Sequence, residues 1–132
     1  MVWEVKLHRE FDAEFEALDV KVQNALSEQV RHLEQIGHRL GRPYVDTLKG
    51  SRHANMKELR LNAGGGVWRF AFAFDPARQA IILCGGDKSG SGNEKRFYKE
   101  LIKKADDRLD KHLAHIKSGK TMAVYPSKGW KS

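Results

Sequence analysis

One stretch in the middle of the chain, residues 67–74, constrains the fold more than any other part of the sequence. It alternates strictly, so that Trp68, Phe70, Phe72 and Phe74 fall on one side of an extended strand. The other side carries small residues and a single arginine. Four large aromatic side chains on one face need a second layer to cover them. The alternation therefore predicts a central β-strand whose aromatic face packs under helices.

Further strands are predicted on both sides of this stretch. Glycines within residues 63–66 suit the turn of a hairpin, and Asp75-Pro76 suits the next turn. Residues 80–84 are apolar on both faces, which indicates a well-buried strand. The additional strands are expected at Val2–Leu7, Lys57–Leu61 and Ala80–Cys84.

Helical spacing replaces this alternation near both ends of the chain. Apolar residues recur every three or four positions from Phe11 to Leu33, with Asp19 as a candidate N-cap that divides two helices and Gly37 as their end. A second such pattern covers residues 97–116, with an interruption expected near Ala105. The order β-α-α-β-β-β-α predicts an α+β fold, with the N-terminal helices and the C-terminal helix laid on one face of a small antiparallel sheet.

Charge is unevenly distributed along the chain, whose formal net charge is +7. Residues 1–48 carry 6 Lys/Arg and 9 Asp/Glu, whereas residues 85–132 carry 12 and 6. A basic surface attracts phosphate backbones, so the later part of the chain predicts a nucleic-acid face and the acidic first third a different contact. Solvated surface without a function is the alternative.

Apolar runs are short and cysteine is rare. The longest run, residues 80–84, is far below the roughly 20 residues of a membrane span, and residues 1–6 do not read as a signal peptide. The single cysteine, Cys84, has no partner for an internal disulfide and is expected in the core. We therefore expect a cytoplasmic protein without a membrane contact.

Metal and nucleotide motifs are weak. His112 and His115 lie three apart on the predicted C-terminal helix, but no third ligand is evident, which favours a solvated pair over a metal site. Gly119-Lys120-Thr121 resembles the end of a phosphate-binding loop, yet the glycine that this motif requires is Ala114. We predict no metal and no cofactor.

The predicted hairpin places a set of polar residues on one face of the sheet. If the aromatic face packs under helices, Arg69 projects from the opposite face together with Glu58 and Arg60, and the small Ala71 and Ala73 leave space beside it. The following loop and helix start border the same hollow with Lys88, Lys95, Arg96 and Tyr98. A bindable cavity and a plain surface with ion pairs such as Glu58–Arg60 both fit this geometry.

These residues resemble the RelE/ParE toxin superfamily, most closely its HigB-like, phage-associated branch. The resemblance covers roughly residues 2–117, the expected toxin domain, and leaves out residues 118–132. It rests on the segments 57–60, 68–70, 72–76 and 83–90, on Tyr98, and on 105–106 and 112–113. It implies a compact RelE-like α+β fold and a cytoplasmic toxin that is neutralised by a cognate antitoxin of the helix-turn-helix type. It also implies metal-free cleavage of mRNA in the ribosome, with operator DNA bound only through the toxin–antitoxin complex.

The resemblance assigns roles to individual residues. Arg69 corresponds to an arginine that contacts the scissile phosphate in RNA-cleaving relatives, Lys88 to a basic loop residue and Tyr98 to a tyrosine of the last helix. Glu58 stands where some relatives carry a lysine base, which leaves the identity of the base open.

Cleavage through the 2′-hydroxyl needs a base, cations and an acid. Arg69 and Lys88 suit the cationic role, Glu58 the base, and Tyr98 or His53 the acid. We expect Lys57, Arg60, Lys95 and Arg96 to bind RNA.

Two other functions and one segment stay open at this stage. Some members of the superfamily poison DNA gyrase without catalysis, and a basic nucleic-acid-binding module would need only the charge pattern. Residues 118–132 show no periodicity and are expected to form a flexible basic tail. Its lysines alternate with Tyr125 and Trp130, a pattern that suits RNA binding, while a loose terminus without a role is the other interpretation.

Overall fold

The chain folds into a mixed sheet with helices on both faces, and the α+β class is confirmed. The computed structural model describes residues 3–90 and 92–131, so Val2 of the first predicted strand lies outside the described residues. The strands are β1 (Glu4–His8), β2 (Val45–Thr47), β3 (Lys57–Ala63), β4 (Gly66–Phe74), β5 (Gln79–Asp87) and β6 (Ala123–Val124). The helices are α1 (Arg9–Glu16), α2 (Val20–Ile36) and α3 (Glu94–Lys117).

Within the described residues the strand order is β2-β3-β4-β5-β1-β6. Neighbouring strands run antiparallel except for β1 and β5, which are parallel. The prediction of an antiparallel sheet is corrected at this one pairing. The cause is topological. Helices α1 and α2 separate β1 from the hairpins along the chain, so no tight turn forces β1 to run antiparallel to β5, and the two strands lie side by side in the same direction.

The aromatic face of β4 packs under α1 and α2, as its alternation predicts. Phe70 and Phe72 are fully buried in a core that also contains Phe11 and Leu26, while Trp68 packs against the edge of this core. Phe70 lies edge-on to Phe11 at a ring-centroid distance of 6.1 Å. Burial of such a ring stabilises the fold by about 1.5–3 kcal/mol, so this layer fixes the direction in which β4 points its other side chains.

The boundary between α1 and α2 is also where the sequence places it. The Asp19 carboxylate accepts a hydrogen bond from the backbone N–H of Lys21 and caps α2. Gly37 ends α2 with φ at +65°, and a side chain there would collide with the indole of Trp3. Only glycine allows the chain to turn this close to the ring.

Helix α3 lies on the opposite face of the sheet, where the sequence analysis placed all helices on one face. Leu101, Ala105 and Leu109 pack against the small side chains Ala71 and Ala73 of β4. Those two alanines are therefore covered by a helix and do not line an open hollow. The helix is continuous through Ala105. In the described part of the chain no helix combines the length and apolarity needed to cross a bilayer.

Residues 118–131 contact the domain, which differs from the separate tail that the sequence suggests. Strand β6 pairs antiparallel with β1. The ring of Trp130 lies 5.6 Å from that of Phe15, and the backbone N–H of Lys131 donates to the Ser27 hydroxyl at 2.9 Å. Residues 122–130 contain several apolar side chains, which indicate packing against the domain. The segment is too short for these side chains to show a helical or strand period.

Candidate functional site

Three side chains from three elements meet on the α3 side of the sheet. Glu58 comes from β3, Arg69 from the facing strand β4, and Tyr98 from the first turns of α3. The Tyr98 hydroxyl donates a hydrogen bond to Glu58 Oε1 at 2.8 Å, and Arg69 Nε lies 3.7 Å from the same oxygen. The arrangement follows from the period-2 geometry of β3 and β4, because burying the aromatic face turns both charged side chains toward α3.

This cluster is buried but incompletely satisfied. The side chains of Glu58 and Arg69 are 10% and 8% exposed. Arg69 donates through Nη1 to the carbonyl of Trp68 at 2.9 Å, while its Nε makes no hydrogen bond. Burial and the Glu58 carboxylate raise the pKa of Tyr98 above its usual value of 10, with Arg69 acting in the opposite direction. Tyr98 therefore keeps its proton at neutral pH and uses it in the hydrogen bond to Glu58.

A groove of about 410 Å³ opens beside the cluster. Its lining includes the three cationic residues Lys49, Arg60 and Lys88 together with Glu58 and Tyr98. Lys88 lies 3.3 Å from Glu94 and 5.9 Å from the centre of the Tyr98 ring. We call this feature the catalytic groove because catalysis is the role that we propose for it. The lining also includes Asp46 and Glu94, so three cations lie among three carboxylates and one phenol, and the groove offers both contacts for an anion and groups for proton transfer.

Arg60 and Arg69 face each other directly in the β3–β4 register. Like charges in this arrangement repel each other. Glu58 balances Arg69, but Arg60 makes no ion pair within the described residues. An arginine held opposite another arginine at a groove is a favourable position for a phosphate.

The sequence analysis missed the part of the catalytic groove that β2 contributes. Asp46, Thr47 and Lys49 line it, and β2 pairs with β3 at Asp46 and Glu58. Residues 44–55 read as an irregular basic loop, since a strand of three residues carries no detectable alternation. The basic character of this loop was the one available signal for Lys49.

Four residues predicted for the site lie elsewhere. Lys57 shares the face of Leu59, on the α2 side, and its Nζ lies 3.5 Å from the Thr47 hydroxyl. Lys95 and Arg96 line a separate groove on the outer surface of α3, with Arg96 Nε 3.4 Å from Glu100. The fourth is His53.

His53 is held against the middle of α3. Its Nε2 lies 2.8 Å from Asp110, to which Arg52 is also paired. The neighbouring Ser51 hydroxyl donates to Asp106, so this loop is fastened to α3 at three successive residues. Tyr98 donates a hydrogen bond to Glu58, whereas His53 lies outside the catalytic groove.

Two further titratable side chains, Cys84 and His112, are buried in the core. Burial raises the pKa of the Cys84 thiol to about 12, so it is no nucleophile. His112 is fully buried and pairs with Asp75 at 2.8 Å. Among residues 3–90 and 92–131 no three metal-binding side chains come together as a metal site.

The chain is similar to one protein family and to two individual proteins. Residues 13–110 match the family of phage-derived proteins described as Gp49-like. Two proteins of Mycobacterium tuberculosis that are named as candidate toxins are similar in sequence. HigB2 is 41% identical over 128 residues, which cover 96% of this chain and 62% of HigB2. HigB3 is 47% identical over 105 residues, which cover 80% of this chain and 89% of HigB3.

The fold also matches a solved structure. A double arginine-to-alanine mutant of the Escherichia coli toxin RelE, in the free state, superposes with a TM-score of 0.56 at 14% sequence identity. The match covers 78% of this chain and 97% of RelE. At this identity the likeness concerns the fold alone.

Proposed function

The chain belongs to the phage-derived Gp49-like family, and on this premise we propose that it is the toxin of a toxin–antitoxin system that cleaves mRNA on the ribosome. The resemblance to the RelE/ParE superfamily and its HigB-like branch is confirmed by the relatives and the fold. The chain spans 62% of the length of HigB2, so activity, substrate and partners belong to the proposal.

The observation that carries the proposal is the contact of Tyr98 and Arg69 with one buried carboxylate, Glu58, beside a groove that Lys49, Arg60 and Lys88 line. A module that only binds nucleic acid needs the cations but not a carboxylate among them, because a carboxylate repels phosphate. The same reasoning disfavours a gyrase inhibitor without catalysis at this site.

The reaction follows from the positions of these groups. The 2′-hydroxyl of the substrate attacks the adjacent phosphorus, and its proton passes to a Glu58 oxygen. Arg69 and Lys88 stabilise the negative charge that grows on the phosphate oxygens. The bond from phosphorus to the 5′-oxygen breaks, and that oxygen takes the proton of Tyr98. The products are a 2′,3′-cyclic phosphate and a 5′-hydroxyl.

The hydrogen bond between Tyr98 and Glu58 then resets the site. After one turnover Glu58 holds a proton and Tyr98 has lost one, and the two oxygens lie 2.8 Å apart. Transfer across this distance restores both starting states without an external acid or base. The two residues that exchange protons with the substrate thus also exchange them with each other.

The proposed partners are a cognate antitoxin of the helix-turn-helix type, the ribosome with its mRNA, and operator DNA through the antitoxin complex. Capture of the neighbouring gene product by this protein would identify the antitoxin. We propose a cytoplasmic location, where these partners are found.

Mapping RNA 5′ ends after induction of the protein tests the activity. We expect new 5′ ends inside translated reading frames, absent from an Arg69→Ala strain. Intact mRNA together with a DNA-damage response would refute the nuclease and favour action on gyrase.

A further inference from the structure

A second groove lies beside the catalytic groove, between α2 and the edge of β3. Its volume is about 640 Å³, and its lining includes Glu28, Gln29, His32, Tyr44, Arg60 and Asn62. We call it the α2 groove. It exists because β2 pairs with β3 only from Lys57 to Leu59, which leaves the rest of that edge without a neighbouring strand.

Arg60 connects the two grooves, since it lines both of them. Arg69 also reaches the lining of the α2 groove. A nucleic-acid strand whose phosphate is held by these two arginines has one neighbouring nucleotide on the side of the α2 groove. Because Arg60 lines both grooves, the nucleotide in the α2 groove directly neighbours the phosphate that the arginines hold.

The α2 groove presents an aromatic ring at its mouth. Tyr44 is 41% exposed, and its ring centre lies 5.7 Å from that of His32. His32 is held in turn by Gln29, whose side-chain oxygen lies 3.2 Å from Nδ1. The loop is fixed to β3 by a hydrogen bond from Arg60 N–H to the Tyr44 carbonyl at 2.8 Å. An exposed ring on a fixed backbone next to cations is suited to stacking on a nucleobase.

Glu28 gives this groove chemical selectivity. It is exposed and makes no ion pair within the described residues, and a carboxylate only accepts hydrogen bonds. It repels phosphate, so the groove favours a base over the backbone. Adenine, cytosine and guanine carry an exocyclic amino group that donates to a carboxylate, whereas uracil has no amino group and its single edge donor, N3–H, lies between two carbonyl oxygens that repel a carboxylate.

From this arrangement we infer that the α2 groove binds one RNA base next to the cleaved phosphate and selects bases with an amino group over uracil. The inference rests on the proposed nuclease function, which it refines by naming residues that determine sequence preference. Tyr44 supplies the stacking surface, Glu28 reads the amino group, and Asn62 and Gln29 offer amides to the remaining edge of the base.

The test compares cleavage-site preference among Glu28→Gln, Tyr44→Ala and the matched control Glu34→Gln on the same helix but outside the groove. We expect wild type and control to disfavour uracil about tenfold at one position beside the cut. Glu28→Gln should remove most of this preference with cleavage retained, and Tyr44→Ala should lower cleavage about tenfold or more. If wild type cleaves mRNA and both groove variants keep its rate and preference, the inference falls while the nuclease stands.

A binding measurement separates the two proposals if wild type does not cleave. Titration of the labelled protein with 2′-O-methyl ApA and 2′-O-methyl UpU, followed by NMR, reports on the groove directly. Shifts at Tyr44 and Asn62 that are larger with ApA, and lost in Glu28→Gln but not Glu34→Gln, support the inference. No shift with either dinucleotide, or shifts only with the antitoxin, would overturn it.

Discussion

Two buried carboxylates, Asp75 and Glu58, lie under α3 on the same face of the sheet but have different surroundings. Asp75, directly after β4, accepts hydrogen bonds from the backbone of Ala77 and Gln79 and from the His112 ring, with neither side chain of the Asp75–His112 pair exposed. From the residues that the structure describes, Glu58 accepts one hydrogen bond, from Tyr98. Both are acidic side chains on the same face, but only the second lies beside an open groove.

The difference teaches that the number of hydrogen-bond donors around the carboxylate, rather than its burial, distinguishes the two sites. A buried carboxylate surrounded by several donors rigidifies the fold, whereas one with a single donor beside a groove has lone pairs left for a ligand. The hydrogen bonds and desolvation around Asp75 act in opposite directions, with a net lowering of its pKa. Arg69 Nε and His112 Nδ1 are both buried without a hydrogen bond, and Arg69 also lines an open groove.

The comparison is tested most strongly by removing each carboxylate. Asp75→Ala leaves the buried His112 and two backbone N–H groups without their acceptor, and we expect it to lower the free energy of unfolding by about 3–5 kcal/mol. Glu58→Gln keeps the shape and an acceptor for Tyr98 but removes the charge opposite Arg69, and should lower it by a smaller amount, about 1–2 kcal/mol. Urea unfolding measures both, and equal losses would break the distinction.

Removing the Arg69 guanidinium should affect the cleavage rate more than the stability. Arg69→Ala is expected to lower the cleavage rate about 10²–10³-fold, because its guanidinium stabilises the charge of the transition state. Antitoxin binding should persist. Lys57→Ala is the matched control on the other face of β3, and should leave the rate within about twofold. Full activity of Arg69→Ala would show that the catalytic groove is misplaced.

A buried histidine gives the fold a pH dependence. Burial lowers the pKa of His8 from 6.5 to about 4. Between these values the unfolded chain binds a proton that the folded chain does not, so stability is full above pH 6.5 and falls as the pH drops toward 4. We expect a loss on the order of 2–3 kcal/mol over this range.

Substitution identifies the group responsible for this slope. His8→Gln should flatten the dependence of unfolding free energy on pH between 6.5 and 4, and replacement of the exposed His38 by Gln should not. An unchanged slope in the His8 variant would assign it to other residues.

The smallest effect concerns the C-terminal segment, which belongs to neither cluster. Trp130 is partly buried against Phe15, so Trp130→Ala should lower the free energy of unfolding by about 1–2 kcal/mol. Lys128→Ala, on the exposed part of the segment, should have no measurable effect. Cleavage should be unchanged in both, and equal stability of the two variants would show that the indole adds nothing to the core.

The sequence predicts those parts of the fold whose periodic pattern extends over many residues. The alternation in β4 fixed which way Arg69 points, and Asp19 and Gly37 marked the ends of α2. The contacts between elements were not available in this way. Nothing in the local pattern places α3 opposite α1 and α2, and that choice covers Ala71 and brings Tyr98 to Glu58.

The same limit explains which site residues were misplaced. Glu58, Arg60 and Arg69 follow from strand alternation, so they were found together. Lys57 has the opposite parity to Glu58, a conflict visible in the sequence itself. His53 depends on a tertiary contact with Asp110 that no spacing reveals.

The end chemistry of the cleaved RNA tests the central claim most directly. Purified protein is added to ribosomes that carry mRNA with a single 2′-deoxynucleotide at the mapped cut, alongside the unmodified mRNA. The account predicts 2′,3′-cyclic phosphate and 5′-hydroxyl ends from the unmodified mRNA, slower cleavage by Tyr98→Phe, and none at the deoxynucleotide. Cleavage at the deoxynucleotide, or products with 3′-hydroxyl and 5′-phosphate ends, would contradict it.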